Sequence, residues 1–414
     1  MLKKSKVIWL ICIIEILFFL PRIVSQTVHY FIPINFFGIP FVQLTFFFSL
    51  VMLVIVLNLK RKVPKLEFFI FCYILLVMTF SFLFSPPRDS YFEVQGILMF
   101  LIDFAMFRIA TFNNKPLALK LIKTLVITIS VFIISFILFF VFSPNLIPLN
   151  FVENNNIRME GFITSSIAVG LFAASSIFNL KQYKNKFIFF LGLSAVIILL
   201  IVTITRTVII TIVIMGLLTW LFQSNKKSFI AKLKQSLFLL MFVMISINLT
   251  KDYLSDYTQL IEYRFTNKKG NSVSYRSLEL QQELFLFSQS PIVGKGVGLR
   301  YTKEYFVNSS SVFYGHNFFT SQLLRFGLFG LLIGLMFLNH LYKTLYWTKN
   351  ENDLLVLLAV LFIGMTLVLL YANFIYFLIF GFYGALLGLI SNLKDEKNIS
   401  INSDSDANFV CDLP

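Results

Sequence analysis

Apolar residues in this chain come in runs of 16 to 26, separated by short polar breaks. The runs fall near residues 7–25, 36–58, 67–85, 92–112, 124–143, 162–180, 187–204, 207–222, 235–250, 316–341, 354–372 and 373–391. A hydrocarbon core about 30 Å thick takes roughly 20 helical residues to cross, so the pattern predicts about twelve membrane-spanning helices. The expected fold is an all-α, polytopic integral membrane protein. One stretch needs arbitration: residues 191–222 are 32 nearly uninterrupted apolar positions, broken only by Arg206. As one helix it would be about 48 Å long at 1.5 Å per residue, too long for one crossing. Lys181, Lys184 and Lys186 precede it and Lys226, Lys227, Lys232 and Lys234 follow it. Cytoplasmic loops collect basic residues, so the run is expected to cross twice, with Arg206 at the outer tip of a hairpin. The run at 354–392 divides near Ala372 for the same reason.

Composition removes the soluble alternatives. Of 414 residues 58% are apolar and 13% charged, 52 are Phe, and the mean hydropathy is +0.83. Soluble domains carry about 25% charged residues. A net charge of +15 would suggest nucleic acid in a soluble chain, but here the basic residues punctuate apolar runs, and no nucleic-acid partner is expected. The first run follows Lys3, Lys4 and Lys6 but lacks a small-residue cleavage site after Pro21, so it reads as a retained helix. Cys12, Cys72 and Cys411 have no metal-like spacing, and neither a disulfide nor a metal site is expected.

The topology places both termini in the cytoplasm. It makes residues 1–391 a transmembrane domain interrupted by one large external loop, 251–315, and leaves 392–414 as a disordered cytoplasmic tail. Within the loop, Leu278, Leu280, Leu284, Leu286 and Phe287 alternate with Glu279, Gln281, Gln282 and Glu283, the pattern of an amphipathic helix near the membrane surface. Of the 35 basic residues, 21 fall inside, 12 outside and two, Arg108 and Arg325, within helices. Twenty of the 21 inside are Lys, whereas seven of the 12 outside are Arg: Arg22, Arg88, Arg158, Arg206, Arg264, Arg276 and Arg300. Arg offers a planar fork of donors suited to phosphate and carboxylate, so an external anion site is expected.

Three external features carry candidate chemistry. Arg158-Met-Glu160-Gly precedes the sixth run, and serves either as part of a site or as an interfacial anchor. Arg206 lies in Thr-Ile-Thr205-Arg206-Thr, where an arginine at membrane depth either faces a cavity or an anionic partner or snorkels to the head groups. The third runs from Tyr275-Arg276-Ser277 through Pro291-Ile-Val-Gly294-Lys-Gly-Val-Gly298 to His316-Asn317. Its glycines permit tight turns and close backbone approach, and the pattern lacks the glycine and Ser/Thr of a nucleotide-binding loop. His316, one of three histidines, is the natural proton acceptor near neutral pH, although a lone histidine also serves structural roles. Gly327, Gly330 and Gly334 are expected to allow close helix packing. Glu15 and Asp103, acids within spans, are the residues a proton-coupled transporter would use.

The order Arg158 to Gly161, Thr-Arg-Thr, Tyr-Arg-Ser with Pro-Ile-Val-Gly-Lys-Gly-Val-Gly, and His316-Asn317 leading into Arg325-Phe-Gly-Leu-Phe-Gly-Leu331 resembles the O-antigen polymerase and ligase superfamily over residues 158–331. Thr205 stands where a Ser often precedes the hairpin arginine. The resemblance implies a bacterial plasma-membrane glycosyltransferase, with its active site on the external face. Its donor and acceptor would be oligosaccharides on undecaprenyl diphosphate, and it would need no cofactor or metal. Membrane lipid and a chain-length regulator protein are the implied partners. Carried onto this chain, the resemblance makes His316, Arg206 and Arg276 catalytic. Arg158, Arg206 and Arg276 would bind diphosphate, with Glu160, Tyr275 and Asn317 in support. A polymerase is favoured over a ligase. A lipid-linked oligosaccharide flippase is the rival from another class, disfavoured because transporters place charge near the midplane on broken, pseudo-symmetric helices.

Overall fold

Among the described residues the buried core is apolar, yet ionisable side chains are buried with it and large apolar ones are exposed. In the computed structural model, Glu15, Asp103, Ser49 and Ser130 are sealed from solvent, and Arg108 nearly so. Phe47, Val51, Phe187 and Phe190 are more than half exposed. Lipid is the solvent that explains this: apolar side chains face it without penalty, while charged ones turn away from it. The structure describes residues 4–28, 35–36, 39–60, 87–142, 152–153, 156–157, 161–179, 185–203, 212, 272–296, 301–302, 311–312, 320, 323–329, 331–332 and 377–393.

The described helices are α1 (Lys4–Val28), α2 (Phe41–Lys60), α3 (Pro87–Ala110), α4 (Lys115–Phe142), α5 (Gly161–Ile177), α6 (Lys186–Thr203), α7 (Ser272–Ser288) and α8 (Phe377–Ile390). Three antiparallel ladders of two residues a side punctuate them: Asn35–Phe36 with Ile39–Pro40, Val152–Glu153 with Asn156–Ile157, and Tyr301–Thr302 with Ser311–Val312. The architecture is all-α, as the apolar runs predict. Lys115–Phe136 within α4 is long and apolar enough to cross a membrane. Leu44–Lys60, Ile167–Ile177, Lys186–Leu200 and Gly381–Ile390 are shorter apolar helical stretches. The runs at 67–85, 235–250 and 354–372 lie outside the described residues, as does 207–222 except Ile212. Helix boundaries differ from the apolar runs where polar residues cap or extend them. The α2 helix starts at Phe41 rather than 36, because Asn35 to Pro40 supplies the short hairpin. The α4 helix starts nine residues before its apolar run. Asn113, with φ of 53°, turns the chain, and the Asn114 side chain caps the Leu117 N–H at 3.1 Å.

The core of the described residues is organised around α3 and α8, the most extensively packed pair among the described helices. A Cβ on Gly384 would strike the Phe100 carbonyl, and one on Gly388 would come within 2.6 Å of the Phe104 carbonyl and 3.0 Å of the Arg108 nitrogen. The two backbones therefore touch, a closeness that only glycine permits. The seam continues past the end of α8, where the Asn392 amide donates to the Arg108 carbonyl at 2.6 Å and to the Thr111 hydroxyl at 2.8 Å. Around this pair, α1 contacts α2, α4 and α8, α2 contacts α3, and α6 packs on α4 and α5. Between α1 and α2 the Ser49 hydroxyl donates to Glu15 at 2.7 Å, placing that buried carboxylate in a polar contact within the helix layer.

Candidate active site

The described part of the site joins two stretches of the 251–331 region. In the first, α7 ends in a compact turn. The Ser290 N–H donates to the Phe287 carbonyl at 2.9 Å, the Gly294 N–H donates to the Ser290 carbonyl at 3.0 Å, and the Ser290 hydroxyl donates back to the Gly294 carbonyl at 2.7 Å. Gly294 and Gly296 have φ of 74° and 86°, a left-handed backbone that side chains disfavour. The second stretch covers 320 and 323–329, where Gly327 has φ of 63°.

Positive φ at Gly327 breaks the helical hydrogen-bond ladder, and the α7 turn repairs the break. In an unbroken helix the Leu324 and Arg325 carbonyls would accept from the N–H groups of Leu328 and Phe329. Instead Lys295 donates to Leu324 at 2.7 Å and Gly296 donates to Arg325 at 3.0 Å. Leu328 donates to the Pro291 carbonyl at 2.9 Å and Phe329 to the Ile292 carbonyl at 3.1 Å. All four backbone groups are thereby satisfied, as burial demands. Contact at this clasp is main chain on main chain: a Cβ on Gly294 would lie 2.5 Å from the Arg325 carbonyl carbon. The sequence expectation that Gly294 and its neighbours give tight turns and close approach is met. Gly327 allows close packing, as expected, but does so against this turn and with a left-handed φ; Gly330 and Gly334 lie outside the described residues.

Beside the clasp lies a pair of buried polar side chains. The Thr320 hydroxyl donates to the Glu283 carboxylate; Glu283 is fully buried, Thr320 and Arg325 nearly so. Leu284 and Phe285 next to Glu283 are exposed, as are Ile292, Leu328, Phe329 and Leu332. The reading of α7 as an amphipathic helix near the membrane surface is refined at one position: Gln281 is exposed, but Glu283 turns inward. Over residues 283–285 the carboxylate points inward and the large apolar groups outward, the arrangement of an element bordered by lipid. Phe326 ties the clasp to the membrane core, against which it packs.

Of the sequence-derived site residues, Tyr275 and Arg276 stand in the first half of α7. Arg158, Glu160, Arg206, His316 and Asn317 lie outside the described residues. The structure does bring together the two glycine motifs that carried the resemblance, Pro291 to Gly296 and Arg325 to Phe329. Glu283 and Thr320 escaped the sequence reading, because a glutamate in a Gln-Gln-Glu string looks solvated. The available signal was its spacing of seven from Arg276, which puts both on one side of the helix.

Residues 189–335 match the family model described as O-antigen ligase. The match runs from early α6 through the clasp, and it bears out the resemblance to the O-antigen polymerase and ligase superfamily. That family consists of membrane glycosyltransferase-like enzymes of surface polysaccharide synthesis. Arg206, Arg276 and His316 fall inside the matched stretch; Arg158 precedes it. No curated protein matches the chain.

Proposed function

We propose that this chain polymerises undecaprenyl-diphosphate-linked oligosaccharide repeat units of a bacterial surface polysaccharide, at the external face of the plasma membrane. The clasp carries the reading, because it lies within the matched stretch and joins Arg276 on α7, through the turn at 289–296, to the segment that follows His316. In the proposed reaction the acceptor sugar hydroxyl attacks the anomeric carbon of the donor chain. The new glycosidic C–O bond forms as the anomeric carbon to phosphate oxygen bond breaks, and undecaprenyl diphosphate leaves with the electron pair. His316 accepts the hydroxyl proton. Arg206 and Arg276 hold the departing diphosphate and Arg158 assists them, with Glu160, Tyr275 and Asn317 in support. Negative charge builds on the diphosphate as the bond breaks, so guanidinium groups fixed there lower the barrier without a metal. Direct displacement inverts the anomeric centre.

The proposed topology has about twelve spans, an external loop at 251–315, and a cytoplasmic tail from 392. A ligase, transferring finished glycan to a lipid core or protein, is the second reading, favoured by the description of the matching family. The deciding measurement is the size of lipid-linked glycan in cells lacking the chain, against cells restored with it. Single repeat units accumulating on the outer face are expected. Long chains still on the lipid identify a ligase, and single units trapped on the cytoplasmic face identify a flippase.

A further inference from the structure

The geometry points to Glu283 and Thr320 as a positioning pair that sets the rotation of α7, and with it the placement of Arg276 relative to His316; this rests on the glycosyl-transfer reading above. Arg276 and Glu283 are seven residues apart in one helix, a phase difference of about 20° at 3.6 residues per turn, so they occupy the same side of the axis two turns apart. Whatever holds Glu283 in place therefore holds the side on which position 276 stands. Thr320 does this: its hydroxyl donates to the Glu283 carboxylate inside the protein, and it lies four residues beyond His316 in sequence.

The clasp acts at one end of α7. Its four backbone hydrogen bonds fix the turn at 291–296 against residues 324–329, beyond the last residue of α7. They set where the helix ends. The Glu283–Thr320 bond adds a tie within the helix itself, on the side where position 276 stands. Leu284 and Phe285 beside Glu283 are both exposed, so that part of α7 gains little hold from burying large apolar side chains, and one residue of slippage would turn it by about 100°. The Thr320 hydroxyl on the buried Glu283 carboxylate ties the helix at a second point. Burying that charge is expensive, which is why intramembrane and boundary acids usually mark function. Neither residue is asked to touch the sugar or the diphosphate.

The test uses the full chain purified into proteoliposomes, with lipid-linked repeat units extracted from cells that lack it. Turnover and KM for the lipid-linked unit are measured for T320V, T320S, E283Q and the E283Q/T320V double variant, at matched amounts of folded protein. A misplacement of about 1 Å far from the reacting atoms lowers rate by about a hundredfold, so T320V and E283Q are each expected to lose about tenfold to a hundredfold in kcat with KM changed less than about twofold. T320S, which keeps the hydroxyl, recovers most of the rate. The double variant is no worse than the weaker single one, because both remove the same link. Full turnover in T320V or E283Q, a T320S as impaired as T320V, or additive losses overturns the pair's role while leaving the glycosyl-transfer reading standing. An unsubstituted chain that extends no lipid-linked glycan overturns both together.

Discussion

Gly294 and Gly327 face each other so closely that a Cβ on either would come within 2.6 Å of the other's backbone nitrogen. Each also holds a left-handed φ. Alanine at either position is thus penalised twice, by about 1–2 kcal/mol for the backbone conformation alone and further by collision with main chain that has no free rotamer to move. G294A and G327A are expected to lower the amount of protein in the membrane and the midpoint of heat-induced unfolding in detergent. G294A/G327A should recover nothing, since each collision is with backbone. Unchanged unfolding midpoints for both single variants would contradict the clasp.

Arginine and histidine substitutions test the chemistry rather than the fold. Removing one preorganised donor to a developing oxyanion typically lowers rate by about a hundredfold to a thousandfold. R206A and H316A are each expected to abolish polymer in cells, with normal protein in the membrane by immunoblot. Full polymer from either variant removes that residue from the mechanism.

Glu15 separates the enzyme from a transporter. It sits between α1 and α2 with the Ser49 hydroxyl 2.7 Å away, a structural contact far in sequence from the matched stretch. E15Q should support polymer at the original level. S49A should destabilise the protein by about 1 kcal/mol, the usual value of one hydrogen bond to a buried group, read as a lower unfolding midpoint. Loss of polymer in E15Q, with repeat units retained on the cytoplasmic face, would favour proton-coupled flipping.

At the α3/α8 seam, G384L inserts a side chain where the Phe100 carbonyl stands. Overpacking of this kind costs about 1–3 kcal/mol, and here the obstacle is backbone, so the upper end is expected. A single-residue loss of thermal stability in detergent, without any change in KM of the surviving protein, would show the seam to be architectural.

Run length and charge made the all-α class legible, because a lipid solvent leaves long apolar stretches that no other fold requires. The pairing of those stretches was hidden. Nothing in a run of Leu, Ile and Phe says which neighbour it meets, and the α3/α8 partnership becomes visible only through the Gly381, Gly384 and Gly388 spacing once the Phe100 and Phe104 carbonyls are seen against it. The glycine motifs at 294 and 327 could be singled out from sequence, yet their union depends on hydrogen bonds between main chains, to which side-chain identity contributes only permission. The inward turn of Glu283 was hidden because it stands in a Gln-Gln-Glu string whose Gln281 is exposed.

Arg108 and Asn392 meet across 284 residues of sequence. At synthesis rates of roughly 5–20 residues per second, α3 waits about 15 seconds to a minute for α8 to appear. During that interval Asp103, the Phe100 and Phe104 carbonyls and the polar end of α3 are without the surface that later covers them. A ribosome that stops short of α8 leaves the α3 backbone that Gly384 and Gly388 pack against without its partner helix. Such a product invites capture by membrane chaperones and proteases that patrol for polar groups in lipid, so α8 acts as a checkpoint of biogenesis as well as a wall of the core.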